Sequence, residues 1–120
     1  MDNAPVPAES DPAHLAETQQ ALVEHWRVRG TESETLNWEL LLETLEERIL
    51  DLLKNNPNKL LGTLYVLDIS ERTYNEAMRR DGMEARAHAL AEAILRRESQ
   101  KIETRRRYTP RPPEIEDWIR

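Results

Sequence analysis

The chain has 120 residues, enough for one domain that buries roughly two thirds of its unfolded surface. A charged fraction of 33%, an aromatic fraction of 5% and the absence of Phe leave Leu, Ile, Val and Ala to build the core, a composition that favours helices over sheets. There is no cysteine for disulfides or metal thiolates, no apolar run nearing the ~20 residues of a membrane span and no signal-peptide pattern, so the expectation is a cytoplasmic protein.

Residues 1–10 hold two prolines and little apolar content, and read as a disordered arm. An all-α domain of four or five helices is expected over 11–108. The first helix spans 11–29. Asp11 suits the N-cap, Pro12 the first helical position and Gly30 a left-handed cap after the last turn. Leu15, Leu22 and Trp26 share one face with Val23 beside it, a thin stripe that places this helix at the edge of the bundle. The second helix is expected to open on a capping box, Thr31 with Glu34. Trp38, Leu41, Leu42, Leu45, Ile49, Leu52 and Leu53 follow helical spacing, and Leu36, Leu40 and Leu50 widen the face. So wide a face predicts a central helix. Pro57 ends it and disfavours helical geometry at Asn56.

A short third helix is predicted over 58–67, capped by Asn58. Gly62 lies inside it, at a cost of about 1 kcal/mol against alanine, and close approach of a neighbouring backbone would compensate. Ser70 caps a fourth helix that closes at Gly82, with Arg79 and Arg80 in its last turn. The fifth helix covers 83–108. Ala87, Leu90, Ala91, Ile94 and Leu95 form its apolar face. Past Leu95 only Ile102 continues the stripe, so the last three turns of this long, charged helix are expected to project or to lie over another chain. Residues 109–120 form an extended tail, stiffened by Pro110, Pro112 and Pro113. In it Ile115, Trp118 and Ile119 cluster at i, i+3, i+4.

Charge is unevenly placed. Residues 1–60 hold 12 acids against 5 bases, a balance of −7, and residues 61–120 hold 11 acids against 12 bases, a balance of +1. The two halves are therefore expected to attract each other, within a chain or between chains, in preference to a polyanion that the whole acidic molecule would repel.

The segment 63–80 resembles the helix-turn-helix family. Val66 and Leu67 stand as the apolar pair that ends the first helix, Ile69 as the turn anchor, Ser70 as the cap, and Tyr74, Ala77 and Met78 as the inward face. The resemblance implies that Ser70, Arg72 and Asn75, with Glu71 among them, face base edges and that Arg79 and Arg80 meet phosphates. Asp68 stands where that family prefers glycine, Leu64 where it places a small residue, and Glu71 and Glu76 bring negative charge to the DNA side. A plain corner between packed helices is therefore the first reading of this segment. The C-terminal half also resembles a group of small uncharacterised bacterial all-helical proteins, which implies a cytosolic helical module and no activity.

Linear motifs for catalysis or cofactors are absent. His14, His25 and His88 have no His at i+3 or i+4 and read as surface or helix-edge residues. The three glycines lie far apart and form no phosphate loop. Glu43, Glu46 and Glu47 near Arg48 read as a solvated helix face. The expectation is a non-enzymatic interaction or self-association module with no cofactor, metal, membrane or small-molecule ligand. Its partner-binding residues would be Arg105, Arg106, Arg107, Tyr108, Ile115, Trp118 and Ile119, and its partner a protein, first of all a second copy. The alternative is a nucleic-acid-binding protein using Ser70, Arg72, Asn75, Arg79 and Arg80.

Overall fold

The computed structural model of the protein describes residues 11–30 and 36–107. The expected arm at 1–10, the capping box at Thr31 and Glu34, Tyr108 and the tail at 109–120 lie outside the described residues. Five helices are present among those described: α1 (Pro12–Trp26), α2 (Trp38–Asn55), α3 (Pro57–Val66), α4 (Glu71–Met78) and α5 (Met83–Arg107). The fold is all-α, with a long C-terminal helix.

The helix ends follow side-chain chemistry, with several shifts from the sequence expectation. Asp11 caps α1 as expected, its carboxylate accepting the Ala13 N–H at 3.3 Å ahead of Pro12. The other end comes earlier than Gly30. The helix stops at Trp26, and Arg27 takes the left-handed conformation at φ 60°. The reason lies in packing: the turn brings Val28 into the core and frees the Trp26 carbonyl, which accepts from Arg48 Nε at 2.9 Å. Arg48 is thus a link between helices rather than part of a solvated face. In α2 the N-cap is Asn37, whose side chain accepts the Leu40 N–H at 2.8 Å. Leu36 precedes the cap and packs on the core, at the spacing from buried Leu41 that a hydrophobic staple uses.

Asn56, not Asn58, caps α3, with Pro57 at its first position; the same residue ends α2 with extended φ −154°. Ser70 caps α4 as expected, accepting the Thr73 N–H at 3.1 Å. That helix ends at Met78, so Arg79 and Arg80 belong to the turn before Gly82, whose φ of 96° suits glycine.

The centre of the bundle is the α2–α5 pair. Both α1 and α4 pack on α5, while α3 packs on α2. Leu41, Leu45, Ile49 and Leu52 of α2 meet Ala87, Leu90, Ala91, Ile94 and Leu95 of α5 in one buried cluster, as their spacing predicts. The last turns of α5 are a correction. Glu98, Ser99 and Ile102 are buried, and Arg106 forms ion pairs with Asp11 and Glu17. This end of α5 therefore lies beneath α1 instead of projecting.

Candidate functional site

α3 is unusual in what it leaves uncovered. Leu60 and Leu64 are buried, whereas Leu61 is 44% exposed, Tyr65 84% and Val66 77%. Its ten residues carry one charge, Lys59, in a chain that is 33% charged. The exposed residues form two ridges, Leu61 with Tyr65 and Gly62 with Val66, each at i, i+4. The expected close contact at Gly62 does not exist among the described residues: a Cβ there would meet no atom within 4 Å.

A groove lies on each flank of α3. One, of about 770 Å3, runs between α3 and α4, with Leu61, Leu64, Tyr65, Ile69 and Tyr74 as apolar wall and Asp68, Ser70, Glu71 and Asn75 as polar rim. The other, of about 480 Å3, is bounded by Lys59, Gly62, Thr63, Val66 and Leu67 on one side and by His25, Glu98 and Lys101 on the other.

The corner between α3 and α4 explains how the first groove is held open. Ile69 N–H reaches the Leu64 carbonyl at 3.0 Å and Asp68 N–H the Tyr65 carbonyl at 3.1 Å, the pattern that closes a helix through a left-handed residue. That residue is Asp68, at φ 67°. Aspartate tolerates this conformation better than most residues, and Arg97 of α5 steadies the turn. Its Nε donates to the Leu67 carbonyl at 3.2 Å and its guanidinium stands 3.9 Å from the Asp68 carboxylate.

Of the candidate nucleic-acid residues, Ser70, Arg72 and Asn75 follow this corner at the start and middle of α4, and Arg79 and Arg80 lie past its other end. Ser70, Arg72, Asn75, Arg79 and Arg80 are all exposed. The Ser70 hydroxyl serves the Thr73 N–H, and Arg72 Nε lies 3.7 Å from the Glu76 carboxylate. Of the candidate partner-binding residues, Arg105 and Arg106 are exposed near the end of α5, with Arg106 engaged by Asp11 and Glu17, and Arg107 is the last residue of that helix. Tyr108, Ile115, Trp118 and Ile119 lie outside the described residues.

A buried polar layer between α1 and α5 had no counterpart in the sequence expectation. Glu98, 2% exposed, accepts on one oxygen from Trp26 Nε1 at 3.1 Å, and His25 Nδ1 lies 2.8 Å from the same atom. At the next residue of α5, Ser99 Oγ lies 2.7 Å from His14 Nε2, and Thr18 Oγ1 donates to the His14 carbonyl at 2.8 Å. His14 is therefore a core residue at 1% exposure, not a surface one. His88 sits at the far end of α5, its Nδ1 3.0 Å from Glu46 of α2 and its Nε2 3.6 Å from Glu92. The hydrogen bond to Glu46 raises the His88 pKa. Partial burial opposes that rise, the charges of Glu46 and Glu92 add to it, and Arg80 opposes it. Among the described residues no three His, Asp or Glu side chains converge as a metal site would require, and no helix is long and apolar enough to cross a membrane.

Comparison of the chain with protein-family models, with curated proteins and with solved structures finds no match.

Proposed function

We propose that the protein is a non-enzymatic helical interaction module that pairs with a second copy of itself through the α3–α4 face. The observation that carries this reading is Tyr65, 84% exposed beside an open apolar groove on a nearly uncharged helix. A two-fold contact needs one patch that is complementary to itself. Here the patch holds both a knob, Tyr65 with Leu61, and a groove, so each copy offers what the other receives. Charge favours the same place. The chain carries −6 overall, so most of its surface repels its own copy. α3 itself carries no carboxylate, and those of Asp68 and Glu71 stand at the rim of the patch.

The alternative, nucleic-acid reading through Ser70, Arg72, Asn75, Arg79 and Arg80, draws support from the left-handed turn at Asp68 and the Ser70-capped helix after it. Glu71 on the same surface and the Arg72–Glu76 pair oppose it.

Sedimentation analysis across concentration separates the readings. The expected result is a monomer–dimer equilibrium that Tyr65→Lys shifts to monomer, with unchanged helical content because the side chain has no packing role in the monomer. A wild-type chain that stays monomeric up to millimolar concentration overturns self-pairing. A low-salt gel shift of duplex DNA by that monomer, weakening steeply with added salt, would place the nucleic-acid reading first.

A further inference from the structure

The second groove, on the flank of α3 away from the pairing face, has its own chemistry. Its walls are Gly62, Thr63, Val66 and Leu67. Lys59 and Lys101 stand at its edges, both exposed, and it opens onto His25 and Glu98. Val66 is 77% exposed, and Gly62 gives up helix propensity with no described atom near its missing side chain. This is a surface suited to an apolar segment that carries acidic groups.

The chain contains such a segment. Residues 114–119 read Glu-Ile-Glu-Asp-Trp-Ile, three acids interleaved with three large apolar residues. We propose that this segment occupies the α3–α5 groove of its own chain, with Trp118, Ile115 and Ile119 against Val66 and Gly62 and with Glu114, Glu116 and Asp117 near Lys59 and Lys101. Reach decides for the same chain. Lys101 lies six residues before the end of α5 at Arg107, about 9 Å back along the axis at the rise of an α-helix. Residues 108–113 hold three prolines, and six residues of polyproline geometry span roughly 18 Å. A linker of that length covers the return to Lys101, and a high proline content limits the entropy lost on docking. Tethering keeps the segment's effective concentration at the groove far above that of free chains.

The absence of cysteine in the sequence makes the test direct. A nitroxide label is attached to Asn58→Cys, an exposed site beside Lys59, in otherwise wild-type full-length chain. The indole N–H signal of Trp118 is then followed by NMR. The proposal predicts strong broadening of that signal in the labelled chain. It predicts no broadening when isotope-labelled wild type is mixed with spin-labelled chain of natural isotope abundance. Charge reversal by Lys59→Glu with Lys101→Glu is expected to remove most of the broadening. Adding Glu116→Lys with Asp117→Lys is expected to restore it. A Trp118 signal untouched by the label, or one broadened equally in the mixture, overturns the proposal. The first result would leave the groove to an outside partner and the second to a neighbouring copy's tail.

Discussion

At the scale of single residues, His88 gives a clear pH signature. Its side chain is 44% exposed and bridges Glu46 of α2 and Glu92 of its own helix. The hydrogen bond with Glu46 raises its pKa in the folded chain above the ordinary imidazole value of about 6.5. A raised folded-state pKa means that the native state holds the proton more tightly than the unfolded state. The stabilisation is then fully present below the unfolded value and disappears as pH rises through the folded one. NMR titration should place the His88 midpoint above that of a free imidazole, and Glu46→Gln should move it down. The stability difference between wild type and Glu46→Gln should shrink across the same interval. A His88 midpoint unaffected by Glu46→Gln would show that the contact does not control the ring. In the sequence, His88 and Glu46 are 42 positions apart. Glu98 was closer to being legible. It lies between Leu95 and Ile102 at i+3 and i−4, on the apolar stripe itself. A charged residue at a stripe position is a sign of a buried polar contact, although nothing local identifies Trp26 and His25 as its partners.

At the scale of elements, side chains that bond their own backbone were readable and those chosen by tertiary contacts were not. Asp11 with Pro12 and Ser70 announce their helices because a cap needs only its own next three residues. Gly30 was a plausible end for α1, but the core needed Val28 and Arg48 needed the Trp26 carbonyl, so the chain turned at Arg27. Asn37 is a cap of equal quality to Thr31 on sequence alone, and the Leu36–Leu41 spacing favours it. Its side chain satisfies the Leu40 N–H at 2.8 Å, so Asn37→Ala should cost about 1 kcal/mol in urea unfolding. Asn37→Asp should retain most of that stability, since its carboxylate can accept the same bond and suits the positive end of the helix. Equal stability of Asn37→Ala and wild type would mean that the first turn of α2 draws its stability from packing alone.

At the scale of the whole molecule, the charge imbalance between the halves is met at least partly inside the chain, where Arg106 reaches Asp11 and Glu17. Two kinds of contact therefore tie α1 to α5, and their magnitudes differ. Exposed ion pairs contribute about 0–1 kcal/mol and are screened by salt. Removing the acceptor from a buried donor costs roughly 1–3 kcal/mol, because the donor is left without either protein or water. Trp26 is 2% exposed and gives its ring N–H to Glu98. His25, half exposed, can turn to water instead. The buried layer should thus outweigh the surface pairs in holding α1 in place. Glu98→Ala is expected to lower unfolding stability by roughly 1–3 kcal/mol at both low and high salt. Arg106→Gln should cost under about 1 kcal/mol at low salt and close to nothing at high salt. Hydrogen exchange gives the spatial test. In Glu98→Ala, protection should fall first across Pro12–Trp26, while Trp38–Asn55 keeps its protection, because α2 holds α5 through a separate apolar contact. Loss of protection spread evenly over α1, α2 and α5 would mean that α1 is no separate unit and that the polar layer is one thread in a single cooperative core.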